Sequence, residues 1–206
     1  MWIIAGPNGS GKSSLYRQTD IAGWNGSVWI INPDLLTSDI VTLEGLDLPT
    51  ANLQAVQRIE TWLNNSLDVY QTIGVETVLS SDKYQKLVVR AQQRGFEVRM
   101  IYVLLGTVER QIARVRGRVA DGGHDVPEDR IRARRTRSFV QLAWFAEQVD
   151  RLLVFDNSSA EPMLIASKTR GERLTWHRRP ALPLRTELSA AGLADLPPLH
   201  RSAKKR

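Results

Sequence analysis

The residues best suited to chemistry lie near the start of the chain, where Gly6-Pro7-Asn8-Gly9-Ser10-Gly11-Lys12-Ser13 satisfies G-x-x-x-x-G-K-[ST] at every fixed position. Glycines at this spacing let successive backbone N–H groups turn inward around a phosphate, and a helix starting behind them adds its partial positive end. Lys12 is then placed to reach the β- and γ-phosphates and the Ser13 hydroxyl to ligate Mg²⁺. With Ser14 opening the helix that follows, to Gln18, the segment predicts a phosphate-binding loop (P-loop) for ATP or GTP.

Two carboxylates follow at the ends of apolar runs. Asp34, in Asn32-Pro33-Asp34, leaves a strand at its carboxyl end, where open α/β sheets bind ligands. It can face the γ-phosphate from the acceptor side and accept a hydroxyl proton, or it can cap a helix starting at Leu35, since Asn-Pro-Asp is also good cap chemistry. Glu76 sits in Val75-Glu76-Thr77-Val78-Leu79. A carboxylate in such a run is costly unless it faces a cleft or a cation, so it reads as substrate binding, with a paired structural charge as the other reading.

Arginines crowd the segment from Arg110 to Arg137. Arg110, Arg114 and Arg118 repeat every four residues, and Arg130, Arg134 and Arg137 fall at i, i+4 and i+7, so two basic stripes flank Gly122-Gly123. That arrangement resembles a lid whose guanidinium groups meet the charge spread over a transferring phosphoryl group. For the outermost, Arg110, Arg116 and Arg130, a solvated face paired with neighbouring acids is the stronger reading. His124, between glycines and an acid, reads as a lid residue making a local hydrogen bond.

These groups must be held by a sheet. Trp2–Ala5, Val28–Ile31, Val75–Leu79, Phe96–Leu105 and Leu152–Phe155 are short apolar runs of the buried-strand kind. Helical patterns separate them: Ala51 to Tyr70, Tyr84 to a stop at Gly95, Val108 to Val119, and a long one after Pro127 through Val149. The alternation predicts an α/β fold with a parallel central sheet. Leu164 to His177 alternates around Thr169-Arg170-Gly171-Glu172 and predicts a C-terminal β-hairpin on a sheet edge. Beyond Pro180, prolines and the basic end Arg201 to Arg206 suggest a loosely attached tail with at most one short helix.

The composition bounds the rest. With 206 residues, 42% hydrophobic and 24% charged, the chain suits one globular unit and excludes a disordered one. It has no cysteine, which removes disulfide frameworks and thiolate metal sites and fits a reducing cytoplasm. No apolar run approaches the ~20 residues that span a bilayer, so no membrane partner is expected. The formal charge of +6 favours anionic partners. On the residues alone two readings stay open: a kinase of a small-molecule hydroxyl, such as that of a nucleoside, cofactor or antibiotic, and, ranked behind it, a polynucleotide kinase or nucleic-acid-binding ATPase whose basic stripes and Lys204-Lys205-Arg206 end track a phosphate backbone.

In order and spacing, Ile4 through Ser13, Ile31-Asn32-Pro33-Asp34, Glu76-Thr77-Val78-Leu79-Ser80, Arg118-Val119, Gly122 through Glu128, Ile131 through Ser138 and Asp156-Asn157-Ser158 resemble the zeta toxin family of P-loop small-molecule kinases, particularly its short bacterial members. The resemblance runs from about Trp2 to Ser158 and implies a nucleoside-kinase-like P-loop NTPase fold; with the hairpin included, the kinase domain is expected over 1–178, its arginine-bearing lid at about 107–137, and a tail over 179–206. It implies ATP and Mg²⁺, transfer of the γ-phosphoryl to a hydroxyl of UDP-N-acetylglucosamine or a related UDP-sugar, and an antitoxin partner. It would make Asp34 the general base, Lys12 the phosphate clamp, and Arg118 and Arg134 the lid arginines at the phosphates, with Arg132 and Arg137 as alternatives to Arg134. Glu76, Thr77 and Ser80 would belong to the sugar-nucleotide site, although Glu76-Thr77-Val78-Leu79-Ser80 is not the basic acceptor motif of longer members.

Overall fold

The structure is a computed structural model that describes residues 1–18, 28–120, 125–193 and 196. The expected elements follow one another in order: β1 (Trp2–Ala5), α1 (Lys12–Gln18), β2 (Ile30–Ile31), α2 (Pro33–Glu44), α3 (Leu48–Asp68), β3 (Gly74–Thr77), α4 (Gln85–Gln93), β4 (Arg99–Leu104), α5 (Val108–Ala120), α6 (Glu128–Gln148), β5 (Arg151–Asp156), β6 (Met163–Lys168), β7 (Thr175–Trp176) and α7 (Leu182–Ala190). Among the described residues the strands form one sheet in the order β2-β3-β1-β4-β5-β6-β7. The first five are parallel, and the β6–β7 hairpin adds to β5 antiparallel.

Alternation along β1 explains its place beside the centre. Ile3 and Ala5 face the main core with Val75, Met100, Tyr102, Leu104 and Val154, covered by α3, α4, α6 and α7. Trp2 and Ile4 face the other side with Ile101, Val103 and Leu15 of α1. A strand buried on both faces must be apolar throughout, as the sequence of β1 is. Two satellites stand apart from this core. Ile40 of α2 packs on Ala51 and Ala55 of α3, and Ile112 and Val115 of α5 pack on Val126 and Ile131 at the start of α6.

Several boundaries differ from expectation for local reasons. The edge strand β2 keeps only Ile30–Ile31, the residues that pair with β3. β3 stops at Thr77 because Leu79 takes a left-handed φ of 56° and donates its N–H to Thr77 Oγ1 at 3.0 Å. Pro127 stands just before α6 as its cap residue rather than inside it. The cap of α2 is Asn32, not Asp34: Asn32 Oδ1 accepts from the N–H groups of Asp34 and Leu35 at 2.9 and 3.2 Å, and Asp34 lies in the first turn. The largest difference concerns the C-terminus. The compositional boundary at 179 is not where packing ends, since Leu184, Leu188 and Leu193 join the main core and α7 lies against α6. Pro197, Pro198 and the basic residues from Arg201 on lie outside the described residues, as do Asp121, Gly122, Gly123 and His124 of the expected lid hinge. No described helix is long and apolar enough to cross a membrane.

Candidate functional site

The P-loop leaves β1 at the carboxyl edge of the sheet and is pinned from both neighbouring strands. Gly6 N–H donates to Thr77 O at 3.2 Å, and a Cβ on Gly6 would sit 2.0 Å from the Val103 carbonyl oxygen. At the far end Gly11 has φ of 92°, and a Cβ there would meet Asn157 Nδ2 at 2.2 Å. Only glycine lets the chain pass so close while turning its N–H groups inward, and the concavity it leaves is one that phosphate oxygens fill. Ser10 N–H closes a turn on Pro7 O at 3.2 Å, and α1 begins at Lys12.

Lys12 is 8% exposed, and its Nζ donates to Gly6 O at 2.9 Å and Pro7 O at 3.3 Å. Burial pushes its pKa below the ordinary lysine value; Glu76 and Asp34 oppose the shift, and Arg118 adds to it. Thus three residues picked out separately from the sequence, Asp34, Glu76 and Arg118, act on the charge of this ammonium.

Glu76, also 8% exposed, gathers contacts from three residues at the P-loop. Ser13 Oγ donates to its two carboxylate oxygens at 3.1 and 2.9 Å, Asn32 Nδ2 donates to Oε2 at 2.9 Å, and Lys12 Nζ lies 3.9 Å from Oε1. Asn32 therefore works at both ends: its amide nitrogen holds Glu76 while its oxygen caps α2, which sets the first turn carrying exposed Asp34 beside the P-loop. Ser13 Oγ and the Glu76 carboxylate are hard oxygen donors side by side, a set that suits Mg²⁺ completed by phosphate and water oxygens. Among the described residues there is no group of three or more His, Cys, Asp or Glu able to hold a metal by themselves. Thr77 and Ser80 make backbone-directed contacts, Thr77 Oγ1 to Leu79 N–H and Ser80 O to Arg137 Nε at 3.2 Å.

The arginines divide by partner. Arg116 pairs with Glu128, the solvated ion pair expected of an outer arginine. Arg110 departs from that expectation, since it donates to Ser158 O. Arg114 donates to Asn157 O at 2.9 Å, and one of its nitrogens lies 3.4 Å from where a Gly11 Cβ would be, so it sits over the P-loop. Arg132 pairs with Glu109 at 3.1 Å and Arg137 holds Ser80 O. Arg134 is half-buried and, among the described residues, has no hydrogen bond or ion pair.

Residue-by-residue reading missed the loop after β5. Asn157 Nδ2 donates to Ser10 O at 2.9 Å and Ser158 Oγ accepts from Gly106 N–H at 2.7 Å, so this loop ties the P-loop to the start of α5. It also missed Gln111, which is fully buried where its carbonyl crowds Gly9. Both amide atoms of Gln111, with Asn8 Oδ1 and Ser10 Oγ, are buried and have no hydrogen-bond partner among the described residues, a concentration of unmet polar groups at the phosphate-binding loop.

Comparison with known proteins agrees with this geometry. The family model described as AAA domain matches residues 1–142. A solved complex of AvrRxo1-ORF1 and -ORF2 with ATP aligns at a TM-score of 0.69 and 15% identity, over 94% of this chain and 64% of that one. This chain therefore spans less than two thirds of the length of that relative. The PezAT toxin–antitoxin system of Streptococcus pneumoniae aligns at a TM-score of 0.61 and 16% identity, over 93% of this chain and 84% of that one. An uncharacterized protein of Haemophilus influenzae is 27% identical over 143 residues, 65% of this chain and 96% of its own length. At these identities the structural likeness is one of fold, an α/β P-loop fold with a mostly parallel sheet. With more than half of its length matched, the chain belongs to the AAA domain family.

Proposed function

We propose that the protein is an ATP-dependent kinase that transfers the γ-phosphoryl group to a hydroxyl of a UDP-activated amino sugar such as UDP-N-acetylglucosamine, as the toxin of a toxin–antitoxin pair. The observation that carries the reaction class is the chain of contacts Ser13–Glu76–Asn32, which seats the Asp34 turn at the acceptor side of a P-loop. A carboxylate there has no use in nucleotide binding alone but suits a hydroxyl that must lose its proton. The sequence motifs resembling zeta toxins support the sugar-nucleotide acceptor, and the fold shared with the PezAT toxin–antitoxin system supports an antitoxin partner.

In this reading the acceptor oxygen bonds to the γ-phosphorus as the bond to the β–γ bridging oxygen breaks, and the hydroxyl proton passes to the Asp34 carboxylate. Lys12 leaves the Gly6 and Pro7 carbonyls for the phosphates, while Arg118 and Arg134 neutralise the oxygens of the moving group. Ser13, with Glu76 behind it, would hold Mg²⁺, which would supply charge neutralisation at the phosphates. We thus assign Glu76 to the metal side, leaving Thr77 and Ser80 on the sugar-nucleotide side.

The test is ATP consumption by the purified protein with and without UDP-N-acetylglucosamine, followed by mass spectrometry of the products. A nucleotide sugar heavier by one phosphoryl group is expected. Bound ATP with no such product in the presence of Mg²⁺ would overturn this acceptor and move the reaction to another small-molecule hydroxyl.

Lys12 makes a second prediction. The free protein holds its pKa below the ordinary value, whereas phosphates favour the charged form, so binding ATP raises that pKa. Affinity is expected to be greatest at pH below the free-protein pKa and to fall as pH rises through it, where each ATP bound takes up a proton. Calorimetric titrations in buffers of different ionisation enthalpy measure that uptake, and Lys12→Met should abolish it.

A further inference from the structure

Arg135 is the only arginine among the described residues that is buried, at 2% exposure, and no step of the proposed reaction uses it. It stands on α6 in the stripe that faces the core, its guanidinium carbon 4.7 Å from the Phe139 ring centroid. Nη1 donates to Leu105 O at 2.9 Å and Nη2 to Gly106 O at 3.5 Å, the turn that joins β4 to α5. Its counter-charge comes from Glu187 on α7, with Nε at 2.7 Å and Nη2 at 2.5 Å from Oε2. α7 lies beyond the 142 residues matched to the family and contributes no group to the P-loop.

A guanidinium so far from water is tolerable only while its charge is balanced and its donors are used. Glu187 balances it from the edge of the protein, where the carboxylate is itself 39% exposed. The carbonyls that Arg135 holds, together with the Gly106 N–H held by Ser158 Oγ, fix the turn before α5, which carries Arg110, Arg114 and Arg118. A helix of this length is about 20 Å long, so a small tilt at its first turn becomes a displacement of ångströms near Arg118. The same turn of α6 also grips the acceptor side, through Ser138 Oγ to Val78 O at 2.7 Å and Arg137 to Ser80 O.

The geometry points to Glu187 as a positioning residue: by holding Arg135 it fixes the Leu105–Gly106 turn, and with it the reach of the α5 arginines over the P-loop, so that α7 is a working part of the nucleotide site. This rests on the reading above that those arginines meet ATP.

The test uses the full chain with Glu187→Gln, an isosteric change at a partly exposed position, read by hydrogen exchange and by calorimetric ATP binding. Exchange across 105–120 is expected to quicken about tenfold while β1 and β4 keep their protection, and ATP affinity to weaken by about the same factor. Unchanged exchange in 105–120 would overturn the proposal. Equal loosening of the sheet would overturn it too, since α7 would then be a general buttress. If the unaltered protein failed to bind ATP, the kinase reading would fall, and the exchange pattern alone would still decide whether Glu187 sets the α5 turn.

Discussion

Asp34→Asn is expected to slow phosphoryl transfer by about 10²- to 10⁴-fold while sparing ATP binding. The substitution keeps the shape of the side chain and removes only its capacity to take a proton. It leaves the seat intact, because the cap of α2 is made by Asn32 and the link to the P-loop by Glu76, neither of which uses the Asp34 carboxylate. The effect should therefore appear in kcat, with ATP binding and thermal midpoint close to those of the original protein. Single-turnover assays with mass-spectrometric detection of the phosphorylated sugar nucleotide separate these quantities. A variant that turned over at the original rate would remove Asp34 from the role of base.

The second large effect is on the fold itself. Gly6→Ala places a methyl group 2.0 Å from the Val103 carbonyl oxygen at a φ of 143° that side chains rarely adopt. The obstacle is the backbone of β4, a strand paired on both sides, so it cannot swing away as a side-chain tip would. Strain of this kind costs roughly 1–3 kcal/mol before the steric overlap is added. Chemical denaturation should show a loss of several kcal/mol in total, with ATP binding lost at temperatures where the variant is still folded. Gly117→Ala, on an exposed turn of α5 with nothing within 4 Å of its added Cβ, is the control and should be neutral or stabilise by up to ~1 kcal/mol. Equal stability of the two variants would contradict this account of Gly6.

How far these features could be read beforehand depended on how local they are. The P-loop is contiguous, and each fixed residue answers to a backbone or charge requirement within eight positions, so Gly6 to Ser13 were legible as a unit. The buried strands announced themselves by composition, and the hairpin by its turn: Glu172 N–H closes on Thr169 O at 3.0 Å, with Gly171 at a φ of 81°. Asp34 was legible as a candidate but not as distinct from the cap, because Asn and Asp both cap helices and only the coordinates show that Asn32 does so. Arg114 was legible only as one arginine of a basic stripe and Asn157 only as part of a motif; their contacts with each other and with the P-loop were not, because these join residues far apart in the chain. Arg135 carried a signal that a mere count of arginines hides. It lies on the apolar stripe Ile131–Arg135–Ser138–Phe139–Leu142–Phe145, and a charge inside a core stripe asks for a buried partner. Nothing in the composition near Glu187 hinted that it was that partner, because prolines around α7 read as a tail while Leu184 and Leu188 close the core.

The pairing of β1 has a consequence for how the protein is made. Its neighbours are β3 and β4, with Trp2 opposite Gly74 on one side and Arg99 on the other. Until both have left the ribosome, Ile3 and Ile4, which the finished protein hides completely, have no place to go. At about 5–20 residues per second, that is several seconds during which the first strand is an adhesive apolar segment next to an unformed phosphate loop. Sheets closed by such distant partners also fold slowly after release. The nascent chain is thus most prone to aggregate early in synthesis, and the P-loop cannot take its phosphate-binding shape until β3 and β4 supply the Thr77 and Val103 carbonyls on either side of Gly6.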